Sequence, residues 1–541
     1  MKTPKQVAFS IAMTSAMALT GIGTSVIPTF AAGSASITVN NVVKGAKYKI
    51  YKLFDGSFKS DDSNKMGDAV VNPAYKSIIL STIQKYDSSF ALSGSDDNQA
   101  LQLADKISKL NDKNPKFAND LAQAIKDAAP TDTLTSTDSS ITKTGLDDGY
   151  YLIMSDPTDA TYSSNGNAMT TAILQPIHGS QGKTINAKSS VPTVKKTVKD
   201  NTSTAWDKDF NHTADAGLLD SKIDNYTYKL QGTVASNIAD YDKYQYIFTD
   251  TLPKGLSVTK DELDKDWNVS IKATSDKVTT GKDVSSAFTS SVTEATTDKG
   301  SAISWKSSDI LPALKAAGIT GDDLASAKIT VEYTPVYDST DINNMFGSVS
   351  KLSEPDINTV DLTFSNNPYE GGSGSTSKTP TDLNKVYDYN LIIKKVDSDA
   401  KALTGAKFTL TDANGKTVGK EIGEDQNGVF TFTGLDADTE YTITETKRPN
   451  GYKRIDPIKF KITSTPDDEK ASITKISANE TSDPSNAATL QIDDATVDAT
   501  ISNIEGPDMP LTGRQGIMLG LVVGGLIVSG SMIVLKNQKK E

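Results

Sequence analysis

The chain has 541 residues, a formal net charge of −12, 36% hydrophobic residues and no cysteine. That length suits about three domains with packed cores, the missing thiols exclude disulfide staples, and the acidic balance argues against nucleic acid or an anionic membrane surface as partner. Only His178 and His212 are present, which excludes a histidine-rich metal site and leaves little room for Ser-His or Cys-His catalysis.

Lys2 and Lys5 precede a mostly apolar stretch over 7–27, and small residues follow at Ala31, Ala32 and Ala35. This is the layout of a signal peptide, expected over residues 1–31 with a cut after Ala31. Over 32–187 the pattern is mixed. Ile37, Val39, Tyr48, Ile50 and Leu53 suggest strands, while Asn72-Pro73, Asn98 and Asn114-Pro115 read as helix starts with asparagine as N-cap. Phe117, Leu121 and Ile125 share one helical face, Gly149-Tyr150-Tyr151-Leu152-Ile153 reads as a buried strand, and Ile173-Leu174 as another. The segment is expected to be a β-sandwich carrying helical insertions.

Residues 188–388 alternate with period two, broken by turns such as Leu252-Pro253-Lys254-Gly255. Glycine and serine crowd 371–377, which reads as a flexible loop or linker. No turn signal interrupts 386–393, so one long strand is expected to close the second domain and open the third. From 389 to 508 the alternation continues through Phe408, Leu410, Phe430, Phe432, Tyr441, Ile443, Ile458, Phe460 and Ile462. Asp412-Ala413-Asn414-Gly415 and Arg448-Pro449-Asn450-Gly451 supply turns, which indicates a small immunoglobulin-like sandwich.

The chain closes on Met509-Pro510-Leu511-Thr512-Gly513, an uncharged run over 516–535, and Lys536, Lys539 and Lys540. Twenty small or apolar residues at about 1.5 Å each span the roughly 30 Å core of a bilayer, with the lysines held at the cytoplasmic side. The predicted class is therefore mainly β: three tandem immunoglobulin-like β-sandwich domains, the first with helical insertions, between an N-terminal signal peptide and a C-terminal segment over 509–541 that contains the transmembrane helix.

Strand parity marks polar groups that point inward. In the third domain Lys395 shares a face with Leu391 and Ile393, Glu445 with Tyr441 and Ile443, and Asn503 with Val497, Ala499 and Ile501. Burial pushes an amine toward its neutral, nucleophilic form and a carboxyl toward its protonated form. Neutral Lys395 can then attack the Asn503 side chain while protonated Glu445 polarises the carbonyl, giving a Lys-Asn isopeptide bond and ammonia. In the second domain Lys196 lies inward between Val194 and Val198, Asp250 follows Tyr246 and Phe248, and Asn366 follows Leu362 and Phe364. Asn367 and Lys195 take these places if a bulge shifts the register. The first domain has no glutamate, and Asp156, after Leu152 and Met154, is its one comparable carboxyl.

Several of these stretches resemble one family. Lys395-Val396-Asp397, Leu403-Thr404-Gly405-Ala406-x-Phe408 and Tyr441-x-Ile443-x-Glu445-Thr446-x-x-Pro449-x-Gly451-Tyr452 resemble the collagen-adhesin B-type (CnaB-like) domain of Gram-positive pilins, the last matching its E-box. The 248–256 and 364–368 stretches resemble the middle domain of pilus shaft proteins, and Met509 to Gly513 resembles the Leu-Pro-x-Thr-Gly (LPXTG) cell-wall sorting signal with Met for Leu.

The resemblance implies a major shaft pilin, a structural protein of a fimbria that is no enzyme beyond its own single-turnover cross-linking. It implies Lys395–Asn503 and Lys196–Asn366 isopeptide bonds, with Glu445 and Asp250 as their catalytic acids. It further implies sortase cleavage between Thr512 and Gly513 and linkage of Thr512 to a lysine of the next copy. Tyr-Pro-Lys is absent from the expected place, where Lys188 stands, with Lys183 and Lys195 next in line. The implied partners are other copies, pilus-type and housekeeping sortases, accessory pilins and peptidoglycan, after transient anchoring in the membrane. No cofactor or metal is implied. Tension entering at Lys188 and leaving at Thr512 would pass through the second and third domains alone. The competing reading is a monomeric, wall-anchored adhesin that binds a host or matrix ligand.

Overall fold

The computed structural model describes residues 33–59, 64–114, 116–162, 166–179, 182–188, 191–199, 206, 213–214, 226–336, 351–372, 374–418, 422–423, 427–467 and 469–507. The expected signal peptide and the 509–541 sorting signal, with Thr512 and Gly513, lie outside them. Among the described residues no helix is long and apolar enough to cross a membrane. The chain forms two compact units. One comprises Met1–Asp159, Met169–Ser189 and Pro368–Glu370; the other comprises Ala160–Ala168, Ser190–Asn367 and Gly371–Glu541.

In the first unit Lys47–Phe58 is the central strand, flanked by Met66–Val71, Asp132–Thr135 and Gly149–Ser155, with Ile173–Ile177 beyond. A second sheet runs Ser140–Leu146, Ala35–Asn40, Lys183–Asn186. Three helices, Lys76–Tyr86, Asp96–Lys113 and Phe117–Ile125, are inserted between strands. Phe117, Leu121 and Ile125 are all fully buried, as four-residue spacing demands.

The helix starts differ from expectation. Ser95, not Asn98, caps the second helix, accepting a hydrogen bond from the Asn98 N–H, and Asn114 is the C-cap of that helix. Asn72 acts one turn early, its side chain accepting from the Ala74 N–H. A short polar side chain satisfies backbone donors equally well in a turn, so asparagine alone does not fix the first helical residue.

The second unit holds two separate apolar cores, one built from residues between Ala168 and Val386 and the other between Tyr389 and Ile501. Around the first, one sheet runs Lys282–Asp283, Ser270–Thr274, Lys328–Tyr333, Thr227–Thr233, Val194–Lys199. The facing sheet runs Thr213–Ala214, Asp382–Val386, Asp356–Ser365, Tyr246–Thr251, Ala302–Ser307, Thr289–Thr293.

Part of the 371–377 stretch is strand rather than linker. Thr376–Lys378 pairs with Asp356–Ser365, and Gly372 (φ +82°) faces the Lys243 carbonyl so closely that a Cβ would lie 1.8 Å from it. Glycine is there for close approach and positive φ.

Around the second core the sheets run Val429–Leu435, Tyr389–Val396, Thr496–Ser502, Ala488–Asp493 and Ile422–Gly423, Lys407–Thr411, Glu440–Lys447, Ile458–Asp467, Ser472–Ser482. The expected continuous strand is broken at Tyr387-Asp388. Val386 pairs with Asp356, whereas Tyr389 pairs with Leu435, so the chain changes sheets there. Adjacent strands in different sheets carry no local turn signature.

Candidate functional site: two buried lysine, carboxyl and amide sets

In the third sandwich the three inward groups meet. Tyr389–Val396 runs parallel to Thr496–Ser502, with Lys395 opposite Ile501, and the Asn503 N–H donates to the Val396 carbonyl at 3.0 Å. Glu445 reaches them from the other sheet, so the set bridges the sandwich. Lys395 and Asn503 are fully buried and Glu445 is 2% exposed.

The Asn503 Nδ2 donates to both Glu445 carboxyl oxygens (3.1 and 3.3 Å) and to the Lys453 carbonyl (2.9 Å). Among the described residues Asn503 Oδ1 has no hydrogen-bond partner. The Lys395 Nζ donates to the Ile501 carbonyl at 2.9 Å. Burial lowers the amine to about 8, opposed by the Glu445 charge. Burial likewise raises Glu445, opposed by the Ile455 N–H, Lys395 and Asn503. Both shifts favour the uncharged pair. The Glu445 carboxyl faces the amide nitrogen of Asn503 rather than its carbonyl oxygen.

These shifts carry a stability consequence. Asn503→Ala removes the amide beside Lys395; the folded domain then protonates Lys395 only below about pH 8, against 10.5 ordinarily. Between those values the unfolded chain holds more protons, so stability rises with pH across that window, by roughly 3 kcal/mol in total. Below the window the penalty is constant. Urea titrations at stepped pH check this, and the Asn503→Ala chain carrying also Lys395→Met should show no such slope.

In the middle sandwich Lys196 sits on Val194–Lys199 and Asp250 on Tyr246–Thr251, in opposite sheets, both fully buried and in direct contact. Asp382 accepts the Lys196 N–H (2.7 Å) and the Asn384 Nδ2 donates to the Lys196 carbonyl (3.2 Å), which ties this strand to the facing sheet. The Lys196 Nζ lies 4.4 Å above the Tyr228 ring and 3.3 Å from the Tyr333 hydroxyl. Burial lowers the Lys196 amine and raises the Asp250 carboxyl, each opposed by the other's charge.

Asn366 is not part of this set. It is buried, but its Nδ2 donates to the Tyr162 carbonyl and its Oδ1 accepts from the Ser375 hydroxyl (2.7 Å). Asp250 pairs with Val360, so Asn366 lies six residues, or about 20 Å, further along its strand. Its neighbour Asn367 is likewise buried, and Lys195 is exposed.

The amide at the site is Asn358, fully buried, whose Nδ2 donates to the Tyr333 hydroxyl at 2.9 Å and which also bonds Asp250. Among the described residues its Oδ1 has no hydrogen-bond partner, as for Asn503. The signal was in the sequence. Asn358, Val360, Leu362, Phe364 and Asn366 share one parity, and only the register opposite Asp250 distinguishes the two asparagines.

In the first unit Lys49 and Asp156 form an ion pair at 3.1 Å, and Lys49 also donates to the Lys126 carbonyl. Burial pushes Asp156 up, but hydrogen bonds from Thr158 and Lys49 outweigh it and hold the carboxyl below its ordinary value. It favours the charged form, unlike Asp250 and Glu445. Lys188 follows the Lys183–Asn186 strand and is exposed; Lys183 is half-buried.

Two tandem sandwiches each bury a lysine, a carboxyl and an asparagine between their sheets, and the known proteins this chain is similar to include bacterial surface proteins and backbone pilins. Residues 389–477 match the family described as SpaA, prealbumin-like fold domain. The chain is 25% identical over 315 residues to the trypsin-resistant surface T6 protein of Streptococcus pyogenes serotype M6, covering 54% of this chain and 50% of that protein, so the match spans half of the relative's length. Among solved structures, the T6 backbone pilin of Streptococcus pyogenes, described as modular with three domains, shares the fold (TM-score 0.50, 16% identity, 88% of this chain and 100% of that one). The full-length major pilin SpaD of Corynebacterium diphtheriae aligns at TM-score 0.42 and 16% identity, over 88% of this chain and 98% of that one.

Proposed function

We propose that the chain is the structural shaft subunit of a surface pilus, joined covalently to other copies and braced by internal Lys395–Asn503 and Lys196–Asn358 bonds. The observation that carries this reading is the pair of buried lysine, carboxyl and asparagine sets, each bridging the two sheets of a sandwich. Buried ionisable groups cost several kcal/mol unless something offsets them, and amide formation removes the charge problem altogether.

In each set the neutral amine attacks the side-chain carbonyl carbon, the carboxylic acid protonates the departing nitrogen, and the amine's proton passes to the carboxylate so formed. One C–N bond forms, one breaks, ammonia leaves and the carboxyl is regenerated. No cofactor is required.

Polymerisation rests on the sequence motif and on the likeness to backbone pilins. Sortase would cleave after Thr512 and pass its carbonyl to Lys188, which the fold leaves exposed next to a strand end. Expressed with its sortase, the wild-type chain should give heat- and detergent-resistant ladders on a gel, and Lys188→Ala should abolish them. Persistent ladders move the linkage to Lys183 or Lys195; a single wall-bound band from the wild type instead supports the adhesin.

A further inference from the structure

Around the Lys196 amine the middle sandwich places a group with no counterpart described beside Lys395. Tyr333 ends the Lys328–Tyr333 strand, pairs across it with Tyr228 and is buried to 1% exposure. Its ring stacks on Trp267 (centroids 5.7 Å apart, 17° between planes) and packs against Trp305, which fixes the phenol in one place. The hydroxyl touches all three reacting groups. It donates to Asp250 Oδ1 (3.1 Å), accepts from Asn358 Nδ2 (2.9 Å) and lies 3.3 Å from Lys196 Nζ. Asp250 meets Lys196 through its other oxygen, Oδ2. The carboxyl thus takes a proton on one side and faces the phenol on the other.

We propose that Tyr333 is a catalytic residue of the middle-domain cross-link, its hydroxyl carrying the proton from Asp250 to the departing amide nitrogen of Asn358. This rests on the reading that Lys196 and Asn358 become joined. Before attack the planar amide nitrogen is a donor and the phenol oxygen accepts from it. Once Lys196 has added to the carbonyl carbon that nitrogen is tetrahedral and basic, so the hydrogen bond reverses. Tyr333 gives its proton to the nitrogen and recovers one from the Asp250 acid through Oδ1, while Asp250 takes the Lys196 proton on Oδ2 and is an acid again. The C–N bond to Asn358 Nδ2 breaks, ammonia leaves and both side chains return to their starting forms. Desolvation, foremost, keeps the phenol neutral and able to donate. Among the described residues Asn358 Oδ1 has no hydrogen-bond partner, so it can accept one as charge accumulates on it.

The test follows ammonia loss from the middle domain by mass spectrometry of full-length chains, from the moment of cell-free synthesis, with the Lys395–Asn503 bond as internal clock. Tyr333→Phe keeps the ring stack and removes the relay; its middle-domain bond should form about 100-fold more slowly or more, at an unchanged third-domain rate. Tyr246→Phe removes another buried tyrosine hydroxyl, which donates to the Thr233 carbonyl at 2.8 Å, and should cross-link normally. Tyr333→Phe linking at the wild-type rate overturns the relay alone, whereas a wild-type chain with free Lys196 and Asn358 overturns the cross-link and the relay together. Should Tyr333→Phe misfold, fluorotyrosine incorporation changes phenol acidity in the native fold. It should then alter the middle-domain rate and not the third-domain rate; an unaltered ratio overturns the relay.

Discussion

Asn503→Ala should lower the unfolding temperature of the third sandwich by about 15–20 °C, and its intact mass should show no loss of ammonia from this domain, in contrast to the loss expected of the wild type under the proposed cross-link. A bond from Lys395 to Asn503 closes a loop of roughly a hundred residues, worth about 4–5 kcal/mol if it acts as a disulfide of that span does. Glu445→Gln should do nearly the same without opening a cavity, because the amide keeps the shape but has no acidic proton to pass on. Calorimetry with intact-mass measurement checks both. A third-domain transition within a few degrees of wild type would show that no covalent brace had been removed.

The mechanical consequence exceeds the thermodynamic one. Tyr389–Val396 and Thr496–Ser502 are parallel neighbours at the start and end of the domain. Tension between the two ends of the domain pulls on the strands that the bond would tie, and hydrogen bonds there can be separated in turn whereas an amide cannot.

Asn358→Ala should leave the middle sandwich unlinked and cost about 5 kcal/mol, since the loop from Lys196 spans roughly 160 residues. Asn366→Ala should leave the link intact. Its own cost should be that of a buried hydrogen-bonded amide, about 1–3 kcal/mol, because the hydrogen bonds to the Tyr162 carbonyl and from the Ser375 hydroxyl are lost. Peptide mapping distinguishes the two variants directly. A Lys196 peptide joined to Asn366 would restore the sequence-based assignment and discard the one drawn from register.

What the sequence settled is what depends on parity and local chemistry. Side chains on a strand alternate strictly, so a lysine, glutamate or aspartate spaced by two from apolar residues must face the core, and Lys196, Lys395, Asp250 and Glu445 all do. Helical spacing placed Phe117, Leu121 and Ile125 on one buried face for the same kind of reason.

Tertiary structure alone decided which inward groups meet. Asn358 and Asn366 have the same parity and the same burial, and only pairing with the Asp250 strand places one beside the lysine and the other about 20 Å away. Tyr333 was invisible for the same reason, being one of 19 tyrosines until the facing sheet brought its hydroxyl to Asp250. Register between distant strands is a sum of many weak long-range contacts, and no short stretch of the chain encodes it.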